Sequence, residues 1–163
     1  DELAIAQREG KLHRNFQGYS TQAECDLLAF GISSIGKVDD CYSQNVRTLD
    51  EYYVALDSGH LPVLRGLRLD QDDLLRRELI GELMCQFNLD TKRFSGQHQI
   101  DFQTYFKTEI EELKDLEKAG LLEWREEGIY VPIKGRLLAR RVAMTFDRHL
   151  RESQAKGTYS KVL

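Results

Sequence analysis

Hydrophobic positions along the chain fall into two textures that meet near residue 46. Before it the sequence is rich in Gly, Ser and Gln, with one compact apolar run, Leu27-Leu28-Ala29-Phe30-Gly31-Ile32. A short apolar run bounded by polar turns suits a strand covered on both faces, such as a parallel barrel strand, or a segment of buried helix. After it, helical periodicity dominates. Thr48 and Glu51 form a capping box, Leu49, Tyr52, Tyr53 and Leu56 make one apolar face, and Gly59 suits the stop. A second helix starts near Asp70, with Asp72 and Asp73 in the first turn where the helix dipole favours negative charge. Leu75, Leu79, Leu83 and Phe87 form its stripe. Gly81 inside it costs about 1 kcal/mol relative to Ala, which predicts close packing at that point.

Farther along, a short helical piece near Phe102–Phe106 leads to a helix over Thr108–Ala119, stopped by Gly120. Leu122 and Trp124, then Ile129 and Val131, alternate around Glu126-Glu127-Gly128, a β-hairpin pattern. Leu138, Val142, Phe146 and Leu150 predict one last helix starting near Lys134. Helix, helix, helix, hairpin, helix is the order of a winged helix-turn-helix. The fold class expected is therefore α+β and mostly helical.

Composition narrows the chemistry. At 163 residues, 41% hydrophobic and 31% charged, the chain is globular. It starts Asp1-Glu2-Leu3 without an initiator Met, read as a processed or truncated start, and Asp1–Gly10 has no signal-peptide core. The longest apolar stretch, Leu27–Ile35, has about half the length of a membrane span. Three scattered cysteines, Cys25, Cys41 and Cys85, favour a reducing, cytoplasmic setting over a disulfide framework. A net charge of -4 supplies no general attraction to nucleic acid or to anionic membrane.

Candidate chemistry is sparse. His13, His60, His98 and His149 lie in four segments, and no pair has metal-site spacing, so no metal ligand is assigned. Ser33 and Ser34 have no activating base, and the adjacent carboxylates read as helix caps or a solvated face, so no catalytic residue is assigned either. A DNA-reading winged helix places the helix before the wing in the major groove. Here that helix carries Glu109, Glu111, Glu112, Asp115 and Glu117 against Lys114 and Lys118, which phosphates would repel. Lys134, Arg136, Arg140 and Arg141, with Arg148 and Arg151, lie after the wing.

Several runs resemble the C-terminal region of the oxygen-independent coproporphyrinogen III dehydrogenases, which are radical S-adenosylmethionine (SAM) enzymes. They are Arg14-Asn15-Phe16-Gln17-Gly18-Tyr19-Ser20-Thr21-Gln22, Cys25-Asp26-Leu27-Leu28, Gly31-Ile32-Ser33-Ser34-Ile35 and Asp40-Cys41-Tyr42-Ser43-Gln44-Asn45. Leu64-Arg65-Gly66-Leu67, Gly135-Arg136-Leu137-Leu138, Phe146-Asp147 and the closing Tyr159-Ser160-Lys161-Val162-Leu163 complete the set. The resemblance implies residues 1–45 as the last strand and loop segment of a radical SAM barrel, and 46–163 as a helical, winged-helix-like C-terminal domain. It implies oxidative decarboxylation of two propionates of coproporphyrinogen III to vinyls by the full-length enzyme, with SAM and a 4Fe–4S cluster. It places Phe16, Gln17 and Ile35 at the SAM pocket.

The cluster cysteines are missing from this sequence, so the chain alone is expected inactive and free of both cofactors. Its expected partners are the N-terminal barrel and the porphyrinogen, in a cytoplasmic monomer that contacts no nucleic acid or membrane. A haem-chaperone relative, or more remotely a winged-helix regulator, are the alternatives. Two departures stand out. Asp39 sits where the family usually reads Gly, and must adopt positive φ if that Gly does. Pro132-Ile133 replaces a Thr-initiated approach to the last helix, which a proline near a helix start leaves intact.

Overall fold

The computed structural model describes residues 1–23 and 25–155. The closing Tyr159–Leu163 run therefore lies outside the described residues. The chain is α+β. It opens with α1 (Glu2–Arg8), capped by the Asp1 carboxylate, and the two-stranded hairpin β1 (His13–Asn15) and β2 (Gly18–Ser20). Next comes an antiparallel sheet in the order β3 (Ile35–Val38), β4 (Cys41–Asn45), β5 (Val63–Arg68), with α2 (Leu49–Asp57) inserted before β5. This sheet joins residues on both sides of the change in sequence texture, because β5 pairs with β4.

The Leu27–Ile32 run does not form a covered strand. Leu27 alone pairs with the sheet through its backbone, bridging Lys37, while the Ala29 and Gly31 carbonyls accept from the Asn45 side chain and Phe30 is 81% exposed. A barrel strand needs hydrogen-bonded neighbours on both edges, and none of the described residues supplies them. Likewise α2 forms where the Thr48 cap predicts, with Glu51 N–H donating to the Thr48 hydroxyl. The Glu51 carboxylate accepts from that hydroxyl rather than from the Thr48 backbone N–H of a full capping box, and none of the helix's residues is buried. Local capping built the helix, and no tertiary cover followed.

From Leu69 onward the picture reverses. Helix α3 (Gln71–Gln86) is set by a reciprocal capping box between Asp70 and Asp73 and ends at Phe87 in the left-handed region, φ 59°. Helix α7 (Ala139–Met144) packs directly on it, α4 (Thr91–His98), α5 (Phe102–Tyr105) and α6 (Lys107–Lys118) share its core through Phe94, Phe102 and Leu113, and α8 (Arg148–Ala155) is tied to its start through Arg148. A three-stranded sheet ordered β6 (Asn88–Asp90), β8 (Gly128–Tyr130), β7 (Glu123–Trp124) closes one side. Leu79, Leu83, Phe94, Phe106, Val142 and Phe146 are fully enclosed, with Phe106 and Phe146 in edge-to-face contact at 5.3 Å.

Gly128 begins β8 at φ 147°, and a Cβ there would strike the Leu89 carbonyl oxygen, so the hairpin needs glycine. Gly81 differs from expectation: a Cβ added there meets nothing within 4 Å, because it faces open space rather than a close neighbour. The last helix also differs. Pro132 precedes a 3-10 segment, Ile133–Leu138, and the chain breaks again between α7 and α8. There the Phe146 carbonyl accepts from Arg76, and the Asp147 carboxylate accepts from Leu150 N–H to start a new helix. Leu138 is consequently half-exposed while Val142 and Phe146 are buried.

Candidate functional site: a basic cleft beside the long helix

Helix α1 and the β1–β2 hairpin lie along α3 and are anchored to it. Ala6 and Leu12 bury against Cys85, and the Gln7 amide donates to the Cys85 carbonyl at 2.9 Å. Between these pieces, Tyr42 and the start of α4 lies an open cleft of about 1290 Å³. Its apolar wall comes from Phe16, Leu27, Tyr42, Leu74 and Phe87. Six basic side chains line it: Arg8, Arg14, Lys37, Arg77, Arg93 and Arg136. Three carboxylates join them, and each has a partner: Glu9 with Lys11, Glu78 with His98, Glu82 with Arg93. An acidic chain thus presents a net positive cleft.

The sequence-predicted site residues divide. Phe16 lines the cleft and meets the Tyr42 ring edge-on at 5.2 Å. Ile35 pairs with Gln44 and Lys37 with Tyr42, so all four share one sheet face, and Phe16 rests beside it. Phe16 and Ile35 are thereby brought to one side of the sheet. Gln17 occupies the β1–β2 turn, where its backbone N–H donates to the Asn15 side chain, and neither Gln17 nor Ile35 lines the cleft.

Sequence reasoning missed Arg77. Consecutive Arg76 and Arg77 on a helix point about 100° apart, so one can face the core while the other faces elsewhere. That adjacency was the available signal. Arg76 reaches inward to Glu109 at 2.8 Å, Asp72 at 2.8 Å and the Phe146 carbonyl at 3.0 Å. Arg77 points into the cleft, about 6.0 Å from the Tyr42 ring centre.

A second polar cluster pins α8 to the start of α3. Arg148 bridges Asp70, Asp72 and Asp73, and Tyr105 donates to Asp72 at 2.6 Å. Burial pushes the Asp72 carboxyl up, but hydrogen bonds from Tyr105 and Arg76 outweigh it, leaving it below its ordinary value. The same bond raises the Tyr105 hydroxyl. Arg151 reaches Glu109 and Glu112. Two of the basic residues after the wing are therefore engaged with carboxylates. Among the described residues no three His, Cys, Asp or Glu side chains are placed to share a metal ion, and no helix is long and apolar enough to cross a membrane.

Comparison with known proteins places these features. Residues 69–138 match the family model described as the HemN C-terminal domain. Along its full length the chain is 46% identical to an oxygen-independent coproporphyrinogen III oxidase of Synechocystis sp. and 45% identical to that of Escherichia coli. It spans 36% of each of these relatives. A solved structure of the Escherichia coli coproporphyrinogen III oxidase, described as a radical SAM enzyme, superposes with a TM-score of 0.86 at 46% identity. That match covers 91% of this chain and 34% of the other.

Proposed function

We propose that this chain, which carries the HemN C-terminal domain and belongs with the C-terminal third of the oxygen-independent coproporphyrinogen III oxidases, serves as that third of a working enzyme. The enzyme converts coproporphyrinogen III to protoporphyrinogen IX by oxidative decarboxylation of two propionates. The observation carrying this reading is the distribution of exposed apolar surface. Sixteen of the twenty exposed large apolar side chains among the described residues precede Leu69. A stable monomer rarely leaves so much apolar surface uncovered. The occupant proposed is the radical SAM barrel that makes up the relatives' remaining length, with residues 1–45 completing its edge.

SAM, cleaved reductively at a 4Fe–4S cluster held by the barrel, would supply the radical that removes a propionate hydrogen. Toward it this chain offers a hydrophobic rim: Phe16 with Tyr42, and Ile35 on the adjoining sheet face. Gln17, exposed in the turn, offers an amide to polar cofactor edges. We read residues 69–155 as winged-helix-like, with α3, α4, α6, the β7–β8 hairpin and α7 in that order. This unit acts as a cover for the site rather than as a DNA reader, since α6 is acidic and Arg148 and Arg151 are spent on carboxylates.

The test is anaerobic reconstitution of the full-length protein, followed by its product spectrum with coproporphyrinogen III. Protoporphyrinogen formation dependent on SAM is expected. A cluster-loaded protein that binds haem and yields no product would move it to the haem-chaperone branch.

A further inference from the structure

We infer that Arg77 is a carboxylate-binding residue of the cleft, and that the cleft holds a ligand bearing several carboxylates. The inference rests on the proposed reaction for the ligand's identity, and on the geometry alone for its charge.

Arg77 differs from its neighbour Arg76. Its Nη1 is buried and has no hydrogen-bond partner among the described residues, and at the same cleft the Gln86 amide nitrogen and His98 Nε2 share that condition. A buried donor left unpaired costs about 1–3 kcal/mol, and more when it is charged, so native folds rarely leave one without a ligand to meet it. The contrast with Arg76, one residue earlier, is sharp: that guanidinium meets two carboxylates and a carbonyl. Glu9 and Glu82 already have cations of their own, and Glu78 lies 3.2 Å from the His98 ring, so none of the three is placed on Arg77. What Arg77 lacks is therefore a carboxylate from elsewhere, since a planar guanidinium fork matches a carboxylate best.

Cleft size and lining point the same way. Pockets for drug-sized ligands enclose roughly 300–1,000 Å³, and this open cleft is larger. It pairs an apolar wall, Phe16, Tyr42 and Phe87 among it, with an excess of cations. That combination suits an apolar macrocycle with acidic arms, and coproporphyrinogen III carries four propionates.

The experiment uses the full-length enzyme and coproporphyrin III, the stable oxidised form of the porphyrinogen, titrated by fluorescence quenching. Arg77→Gln should raise Kd on the order of 10- to 100-fold. Arg77→Lys should recover part of the loss, and Arg141→Gln, exposed and outside the cleft, should change nothing. The tetramethyl ester of coproporphyrin, which has no carboxylate, should bind wild type and Arg77→Gln alike. Melting of the ligand-free Arg77→Gln protein should match wild type. An unchanged Kd overturns the inference, and an unchanged Kd with a lowered melting temperature shows that Arg77 meets a carboxylate of the enzyme itself. Arg77-dependent binding in a protein that turns over no coproporphyrinogen would sustain the cleft and sink the reaction.

Discussion

Residues 1–68 and 69–155 obey the same local rules and differ in what covers them. Seventeen of the nineteen buried apolar residues described belong to the second region, which encloses a continuous aromatic and leucine core. The first has strands, a capped helix and tight turns, but contributes only Ala6 and Leu12 to the buried set. Hydrogen bonding and capping organise backbone locally, whereas stability comes from area removed from water. On the proposed reading the first region is half of an interface, whereas the second encloses a core of its own.

The sharpest way to break this comparison is to truncate one aromatic side chain in each region. Phe106 is fully enclosed between Phe102, Phe146 and Arg76, and Phe106→Ala should cost about 3–5 kcal/mol. Phe30→Ala should change the stability of this chain by less than about 0.5 kcal/mol. Urea denaturation of the two variants reads both. A large effect at Phe30 would mean that the first region has a core of its own.

Next in size is the polar seam of the second region. Arg76→Met strands Glu109, 3% exposed as a residue, with only Arg151 at 3.3 Å, and should cost about 3 kcal/mol. The pH profile follows from the neighbouring shifts. Asp72 titrates lower in the folded state, so its contribution is present above the unfolded value near 3.8 and fades as pH falls through the folded one. Tyr105 titrates higher, so its contribution is complete below about 10 and fades as pH rises beyond. Wild type should hold a plateau between these limits, and Tyr105→Phe should lose the alkaline limb and also shrink the Asp72 contribution to the acid limb, since Tyr105 is the first of the hydrogen bonds that lower Asp72. Thermal melts across pH decide it.

The proposed cofactor rim tests the first region as an interface. In the full-length enzyme Ile35→Asp should weaken SAM binding by about 2 kcal/mol, because a carboxylate against the cofactor would be partly desolvated. The cofactor-free melting temperature should barely move, since Ile35 is only half-buried in this chain. Collapse of the cofactor-free protein would make Ile35 a packing residue instead.

How much of this was legible depended on range. The Thr48 cap, the helix start at Asp70, the Gly120 stop and the Gly128 turn are signals within four residues, and each stands where the sequence placed it. The break before α8 was present as Asp147 three residues before Leu150, but the one-turn spacing of Leu138, Val142, Phe146 and Leu150 concealed it. The β3–β4–β5 sheet left little pattern, because Val63–Arg68 is exposed throughout and needs no alternation. The cleft arises from contacts between α1 and α3 some 78 positions apart, beyond any window. Only the paired Arg76-Arg77 hinted at it.

The smallest expected effect lies at Asp39, between β3 and β4. Its φ is +52°, the left-handed region a glycine occupies freely and an aspartate tolerates at a cost. The Asp39 N–H donates to the Asp26 carboxylate at 3.0 Å, holding the turn while the register pairs Val38 with Cys41. Substituting Asp39→Gly keeps that backbone donor and removes the Cβ strain. It also loosens the unfolded chain, which works against the gain. The strain term is the larger, so a net stabilisation of about 0.5 kcal/mol is expected. It should appear as slower amide exchange in β3 and β4, with exchange in α3 and α6 unaltered. If protection rose in α3 as well, the two regions would be unfolding together, and the contrast between an enclosed core and an uncovered half would fail at its junction.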